Sequence, residues 1–221
     1  MPTSTVEDYL KCILLAEQDE PAVRVSTGRI AVALGVAPAT VTSMLKTLAA
    51  SGLVSYEPYS GASLTDAGKE LALHVLRRHR LVELFLVRVM GMNWSEVHAE
   101  AELLEHSVSE TLIQKMDEML DFPEVDPHGD PIPTAGGEVQ QSAAVSLLQC
   151  ELDVPMKVVR VGDQKMEFLQ LVEREGLKPG RQLKVTQRNE AAESVQLDRR
   201  DREPLSLGFG AASKILVSPA G

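Results

Sequence analysis

The 221-residue chain has few aromatic residues, few cysteines and no long apolar run, and these shortages exclude several classes of protein. Its two cysteines, Cys12 and Cys150, are too few and too far apart for a disulfide framework or a thiolate zinc site, so we expect a reducing, cytoplasmic environment. The N-terminal stretch lacks a basic region followed by an apolar run, so no signal peptide is expected. The apolar stretch at residues 81–90 contains Glu83 and Arg88 and is too short to span a bilayer, so we expect no membrane association.

Aromatic residues make up only 4% of the chain, yet 44% of its residues are hydrophobic, which is enough for a folded core. The charge is distributed unevenly. Residues 1–80 are balanced, residues 81–140 hold two basic against thirteen acidic residues, and residues 141–221 carry one net positive charge. Because the overall charge of −10 comes from the central segment, it does not exclude DNA binding by the first third.

The first third has the pattern of a winged helix-turn-helix DNA-binding domain. Apolar spacing, capping residues and glycine stops predict three helices, over residues 5–16, 27–34 and 38–52. A Tyr-Ser-Gly turn between two short strand-like runs predicts a β-hairpin, the wing, over residues 53–64. The alternative is a helical domain with an ordinary polar surface.

The third of these helices has the composition of a recognition helix. Its buried face is predicted to carry Val41, Leu45 and Leu48, and its outer face presents hydroxyl groups and one lysine. Such residues near a helix N-terminus suit docking in the major groove of DNA. We expect Arg29 and Lys46 to contact phosphates, which position the domain. The full set of expected DNA-contacting residues is Arg29, Pro38, Ala39, Thr40, Thr42, Ser43 and Lys46. One domain makes few contacts, so a symmetric dimer on a palindromic operator is expected.

The acidic middle combines histidines with carboxylates at helical spacing. His79 and Glu83 are four residues apart on one face of a long predicted helix that begins at Thr65 or Asp66 and ends at Met90. A second predicted helix, from Ser95 to about Ser107, brings four residues within an arc of about 100°: His98, Glu102, Glu105 and His106. Two such faces on adjacent helices favour the binding of one or two divalent cations. The alternative is a solvated acidic face with core histidines.

Motifs of enzymes are not found in the sequence. There is no H-E-x-x-H, no P-loop and no arguable Ser/His/Asp triad, and the Glu-x-x-His of di-iron bundles fails because Leu103 lies three residues before His106. The G-x-G of residues 208–210 is followed by no predicted helix and is interpreted as a turn. We therefore expect neither enzymatic activity nor an organic cofactor.

The last third differs from the rest in its apolar pattern. Residues 122–137 are rich in Pro, Gly and Asp and are interpreted as a linker. Beyond them, strand-like runs at residues 156–161, 181–186 and 214–217, with one helix over residues 165–176, predict a small, mostly-β domain.

Five segments of the chain resemble the diphtheria toxin repressor and manganese transport regulator family of metal-dependent transcription factors. They are VEDYLKCI, RIAVALGVAPATVTSMLKTLAASGLV, LTDAGKELALHVLRRHRLVELFL, VHAEAELLEHSVS and DPHGDPIP. The resemblance implies a mainly α-helical fold with a small β domain. It implies a winged helix-turn-helix at residues 1–70, a helical dimerisation and metal-binding domain at residues 71–138, and an SH3-like, FeoA-like β-barrel at residues 139–221.

The resemblance also implies metal ligands. A main site falls on Asp8, Glu102, Glu105 and His106. A second site falls on His79, Glu83 and His98, with Gln170 and Glu173 as candidates to complete it from the C-terminal domain. Lys11 departs from the two-domain manganese regulators, which carry a carboxylate there, so their paired-metal arrangement is not expected. Asp8 has a competing interpretation, since an acid in the first turn of a helix complements the helix dipole.

Two ligand positions bear on the choice of metal. Iron-responsive members of the family carry Met and Cys where this chain has Asp8 and Glu102, and carboxylates favour Mn²⁺ over softer ions. We therefore expect Mn²⁺ first, Fe²⁺ second and other divalent transition metals in vitro, in a repressor of metal-uptake genes. The alternatives are a winged-helix regulator that senses a small organic ligand and a metalloenzyme. A C-terminal domain that binds a partner peptide is compatible with the main interpretation.

Overall fold

The structure, a computed structural model, describes residues 3–140 and 143–220. These residues form two compact units. The first unit comprises the chain up to His79 together with Glu105–Val108 and Pro133–Glu138. The second unit comprises Arg80–Leu104, Ser109–Ile132 and the chain from Val139 onward. Each unit is therefore assembled from segments that are distant in the sequence.

Three helices open the first unit, as the sequence predicts: α1 (Ser4–Asp19), α2 (Thr27–Leu34) and α3 (Pro38–Ala50). The side chain of Ser26 caps α2 by accepting a hydrogen bond from the backbone N–H of Arg29, and Gly35 ends it with φ at 64°. The apolar face of α3 is buried as predicted, through Val41, Leu45 and Leu48.

An antiparallel hairpin follows α3 and forms the predicted wing, with strands β1 (Val54–Glu57) and β2 (Gly61–Leu64). Val25, just before α2, pairs with Ala62 and ties the wing to the helices. A Cβ on Gly61 would lie 2.6 Å from the Val25 carbonyl oxygen, so this pairing requires a glycine there. The arrangement is a winged helix-turn-helix.

Three more helices follow: α4 (Asp66–Arg88), α5 (Val97–Leu104) and α6 (Glu110–Met119). The prediction for α5 was wrong in its length, because Glu105 and His106 lie in the turn after the helix. They therefore do not share a helix face with His98 and Glu102. The side chains of Glu105 and His106 are hydrogen-bonded to residues that are distant in the sequence, and these bonds fix their positions after the helix has ended.

The Pro- and Gly-rich segment at residues 122–137 contains no helix and no strand beyond a single bridge, as its composition predicts, but part of it is buried. Asp126, His128 and Asp130 are buried in the second unit. The carboxylate of Asp126 accepts hydrogen bonds from the backbone N–H groups of His128 and Asp130, at 2.8 and 2.9 Å. A Cβ on Gly129 would lie 1.9 Å from the carbonyl oxygen of Val159. This part of the segment is packed against the domain that it was expected only to join.

The rest of the second unit is built on a six-stranded antiparallel sheet, in the order β3-β8-β4-β5-β6-β7. Its strands are β3 (Val145–Ser146), β4 (Met156–Val161), β5 (Gln182–Asn189), β6 (Ser194–Arg199), β7 (Arg202–Gly208) and β8 (Ile215–Pro219). Helix α7 (Met166–Glu175) lies where it was predicted. The sequence reasoning did not identify β3, β6 and β7, and Phe209–Ala212 forms a short helix, α8, instead of the predicted turn.

Among the described residues, no single helix is long and apolar enough to cross a membrane. The pair α2 and α3, bent by 109°, reaches the required length and hydropathy only when the two helices are counted together.

Candidate metal centre

The imidazole of His106 lies between two carboxylates of α1. Its Nδ1 is 2.7 Å from a carboxylate oxygen of Glu7, and its Nε2 is 2.8 Å from a carboxylate oxygen of Asp8. The same Nε2 is 3.3 Å from Glu105. One ligand atom from each of Asp8, Glu105 and His106 lies within 4.8 Å of the others, so three predicted ligands of the main site converge inside the first unit.

Glu105 is fully buried and is held by two cationic or polar partners. One carboxylate oxygen lies 2.6 Å from the Lys11 ammonium, and the other lies 2.6 Å from Nδ1 of His79. Burial alone would raise the pKa of Glu105, but the His79 hydrogen bond and the Lys11 charge outweigh it and hold this pKa below its ordinary value. The carboxylate is therefore ionised and prepared for a cation at neutral pH.

The sequence reasoning missed Glu7, which directly precedes Asp8 on α1. Its carboxylate contacts Nδ1 of His106 and also lies 2.8 Å from the guanidinium of Arg78. A carboxylate on one ring nitrogen fixes the imidazole and leaves the other nitrogen as the metal donor. The signal that was available is the adjacent acid pair at the start of the chain.

The dipole interpretation of Asp8 was wrong. Helix α1 begins at Ser4, with Thr3 as its N-cap, and the acid of its first turn is Glu7. Asp8 is one residue further along the helix, so its charge interacts less favourably with the helix dipole than the charge of Glu7 does. Its carboxylate lies 2.8 Å from Nε2 of His106.

The donor set fits a divalent cation. Asp8 and Glu105 supply carboxylate oxygens, and His106 supplies Nε2, which already faces both of them. Oxygen donors with one imidazole suit Mn²⁺ and Fe²⁺, whereas a softer ion would be favoured by a thiolate. Burial raises the pKa of the nearby Cys12 thiol to about 11, so this thiol is not a ready ligand.

Two candidate ligands of the predicted second site, Glu83 and His98, lie in the second unit. The Nδ1 atom of His98 is 2.9 Å from a carboxylate oxygen of the fully buried Glu83, and its Nε2 is 3.7 Å from Glu102. Glu102, which the family resemblance assigns to the main site, thus contacts His98 in this structure. Its role as a ligand of the main site stays a prediction. His79 lies one turn before Glu83 on α4, as the spacing predicts.

The candidates from the C-terminal domain, Gln170 and Glu173, lie one turn apart on α7. Gln170 is exposed, and the carboxylate of Glu173 is 2.5 Å from the ammonium of Lys178. Among the His, Cys, Asp and Glu side chains of residues 3–140 and 143–220, the groups close enough to share an ion do not include Glu173. Both residues remain predicted ligands only.

The predicted DNA-contacting residues of α3 lie on its outer side. Thr42 is half-buried, whereas the others are exposed: Pro38, Ala39, Thr40, Ser43 and Lys46. The hydroxyl of Thr42 donates a hydrogen bond to the backbone oxygen of Pro38. Arg29 of α2 is held by ion pairs to Asp19 at 2.8 Å and Glu20 at 3.1 Å.

Three family models match consecutive parts of the chain. The iron-dependent repressor N-terminal DNA-binding domain matches residues 1–62, the iron-dependent repressor metal-binding and dimerisation domain matches residues 65–134, and the FeoA domain matches residues 145–219. The solved structure of a manganese-dependent transcriptional repressor in complex with manganese has a TM-score of 0.89 and 38% identity, over 97% of this chain and all of that one.

The chain belongs to the iron-dependent repressor family.

Other members of the iron-dependent repressor family agree with this assignment. The repressor ScaR with bound Zn²⁺ has a TM-score of 0.81 and 32% identity, over 99% of this chain and all of that one. The iron-dependent repressor IdeR of Mycobacterium tuberculosis is 37% identical over 129 residues, which are 58% of this chain but only 55% of IdeR. An uncharacterised HTH-type regulator of Methanocaldococcus jannaschii is 35% identical over 52% of this chain and 90% of its own length. These matches confirm the predicted family and the helical DNA-binding and dimerisation domains followed by a small antiparallel sheet.

Proposed function

We propose that the chain is a metal-activated transcriptional repressor that binds a palindromic operator as a homodimer and represses metal-uptake genes. One observation carries this proposal. His106 and Glu105, which follow α5, meet Asp8 of α1, so the candidate metal centre includes the first helix of the DNA-binding domain. A cation held there would link the conformation of α1 to metal concentration. Two of the relatives named above, the manganese-dependent transcriptional repressor and the iron-dependent repressor IdeR, are named as metal-dependent repressors, and we propose no catalytic activity for this chain.

Asp8, Glu105 and Nε2 of His106 would hold the ion, which supplies two positive charges to a cluster rich in carboxylates. Glu7 orients the His106 ring, and Lys11 with His79 keeps the Glu105 carboxylate ionised. Without the ion, the carboxylate of Asp8 contacts Nε2 of His106. Metal binding can then favour the DNA-competent arrangement to the extent that this arrangement binds the ion more tightly. In a dimer, the two recognition helices must be about 34 Å apart, or a multiple of this distance, to read successive major grooves.

For the metal itself we propose Mn²⁺ first and Fe²⁺ second. The support is the absence of a sulfur donor among Asp8, Glu105 and His106, because carboxylate and imidazole donors favour harder ions. Other divalent transition metals should bind in vitro, since raw affinity follows the Irving–Williams order. Glu102 is the proposed fourth ligand of this site.

A second site is proposed on His79, Glu83 and His98, with Gln170 and Glu173 as additional candidates. The support is the 2.9 Å contact between Glu83 and His98 and the i,i+4 spacing of His79 and Glu83. For this family member we also propose a cytoplasmic location, with operator DNA and a second copy of the chain as partners. We propose neither a membrane partner nor an organic cofactor.

The main test uses single variants at the first site. Asp8→Ala and His106→Ala should abolish Mn²⁺-dependent binding to the chain's own promoter DNA in a mobility-shift assay, while Glu70→Ala, an exposed acid of the same unit on α4, should not. Retention of full metal-dependent binding by both site variants would contradict the proposal.

A metal series on the same promoter tests the choice of ion. We expect activation by Mn²⁺ at the lowest concentration, then by Fe²⁺, and none with a chelator. Activation by Fe²⁺ alone would overturn the preference. If Mn²⁺ did not change the thermal melting of the protein, a winged-helix sensor of an organic ligand would be favoured instead.

A further inference from the structure

A cavity of about 250 Å³ lies in the β-sheet domain of the second unit, and none of its lining residues is a candidate metal ligand. Its lining includes the end of α7 and the strands beside it, and four of its residues are arginines: Arg181, Arg199, Arg200 and Arg202. Asp201 is the one carboxylate among its lining residues. An arginine set of this kind concentrates positive charge in a chain whose net charge is −10.

Two of the arginines are fixed by the protein. Arg199 is bonded to the backbone oxygen of Glu175, to its carboxylate at 3.3 Å and to the backbone oxygen of Glu203. Arg202 donates to the backbone oxygen of Arg174 at 2.6 Å. These bonds cap the carbonyl groups at the end of α7, whose partial negative charge would otherwise oppose an anion.

Gly176, which ends α7 with φ at 68°, is part of the same construction. A Cβ at this position would lie 2.8 Å from the central carbon of the Arg202 guanidinium. The guanidinium therefore lies close over the backbone, and any side chain at position 176 would push it away. The guanidiniums of Arg199 and Arg202 therefore line the cavity in positions that the end of α7 fixes.

The other two arginines differ from this pair in their side chains. Within residues 3–140 and 143–220, the side chains of Arg181 and Arg200 make no hydrogen bond or ion pair, and both are exposed. Gathering four guanidiniums around one small cavity costs electrostatic free energy unless an anion compensates it. Since Arg199 and Arg202 are held in place and the side chains of Arg181 and Arg200 are exposed, the arrangement is suited to binding an anionic ligand from solution.

We propose that this cavity binds a small molecule through a phosphoryl group. Guanidiniums recognise phosphate oxygens through pairs of parallel hydrogen bonds, and several of them together favour a group with more than one negative charge. The volume is below the roughly 300–1,000 Å³ of pockets for drug-sized ligands, so the ligand is small. We define the site by Arg181, Arg199, Arg200 and Arg202 and call it the arginine site. It extends beyond the proposed metal-dependent repression and does not depend on it.

The arginine site can be tested with the full chain in metal-free form. Pyrophosphate and inorganic phosphate serve as probes in isothermal titration calorimetry, with malonate as a carboxylate probe of similar charge and NaCl to match the ionic strength. We expect pyrophosphate to bind more tightly than phosphate and malonate. The double variant Arg181→Gln/Arg200→Gln should weaken pyrophosphate binding by tenfold or more.

A double variant that removes two exposed lysines of the same unit, Lys157→Gln/Lys165→Gln, controls for net charge and should change pyrophosphate affinity less than twofold. Equal affinity of the two double variants, or a response to pyrophosphate no larger than that to NaCl, would overturn the proposal. Malonate binding as tight as pyrophosphate would overturn the phosphoryl assignment. His106→Ala should bind pyrophosphate normally even where it loses metal-dependent operator binding, so that the two proposals fail separately.

Discussion

Each unit contains a group of carboxylates that is largely buried, and the two groups have different cationic partners. In the first unit, Glu105 and Asp8 face the imidazoles of His79 and His106. In the second unit, Asp126 and Asp130 face the guanidiniums of Arg80 and Arg160, at distances from 2.5 to 3.7 Å. Both groups lie where an unpaired charge would be costly.

The counterion decides what each group can do. A neutral imidazole has a lone pair and can bind a metal beside the carboxylates, whereas a guanidinium is always protonated and has none. Burial, followed by the charges of Asp130 and Glu83, raises the pKa of Asp126, even with Arg80 nearby. The guanidiniums beside Asp126 and Asp130 cannot bind a metal, so this arginine-paired group, the closed group, holds the Asp126–Asp130 segment in place. The histidine-paired group has imidazoles that can bind a cation, and we call it the open group.

The largest expected effect concerns the closed group. Asp130→Ala removes one of the two carboxylates beside Arg80, whose side chain is 4% exposed, together with the 2.5 Å partner of Arg160, and should destabilise the protein by about 3–5 kcal/mol in urea unfolding. Asp198→Ala, at an exposed acid of the same unit, should change stability by less than about 0.5 kcal/mol. The loss should be the same with and without Mn²⁺. A loss that Mn²⁺ reverses would show that this group also responds to metal.

Lys11→Met tests whether the ammonium of Lys11 lowers the metal affinity of the open group. Removing the ammonium that lies 2.6 Å from Glu105 should destabilise the metal-free protein by about 1–3 kcal/mol, because a buried carboxylate loses a partner. It should also raise Mn²⁺ affinity about tenfold or more, since a neighbouring positive charge no longer repels the ion. Urea unfolding and calorimetry measure the two effects. Lys69→Met, at an exposed lysine, should produce neither effect, and a Lys11 variant that behaves like this control would contradict the argument.

Glu7→Gln tests the orientation of the imidazole. The carboxylate lies 2.7 Å from Nδ1 of His106, and loss of such an outer partner weakens metal affinity by about 10–100-fold. Calorimetry with Mn²⁺ measures the effect, and Glu57→Gln in the wing is the matched control. Unchanged affinity would mean that His106 is oriented by other contacts or does not bind the ion.

The smallest expected effect is on the thiol of Cys12, whose pKa is raised to about 11 by burial. In a Cys150→Ser background, its reaction with a thiol reagent should be slow at pH 8 and should accelerate about tenfold per pH unit until about pH 11, because the thiolate is the reacting form. Mn²⁺ should leave the rate nearly unchanged. Strong protection by Mn²⁺ would place Cys12 against the ion and would soften the proposed donor set.

Local rules were sufficient wherever a segment carries its own signal. Ser26 and Gly35 delimit α2, and Ser109 caps α6, because a capping bond or a positive φ is specified by one residue. The same rules failed for α5, which was predicted to extend past its end at Leu104. Glu105 is buried in contact with Lys11 and His79, which are remote in sequence, and no local sequence pattern indicates these contacts.

The sequence by itself determined the family, the winged helix, the positions of most helices and the residue types of the candidate metal ligands, because these depend on periodicity, capping and motif. Only the tertiary structure decided that Glu7 orients His106, that Lys11 neutralises Glu105 and that the Asp126–Asp130 segment is packed rather than free. The physical reason is that the free energy of a buried charge depends on its neighbours in space, and those neighbours come from distant parts of the chain.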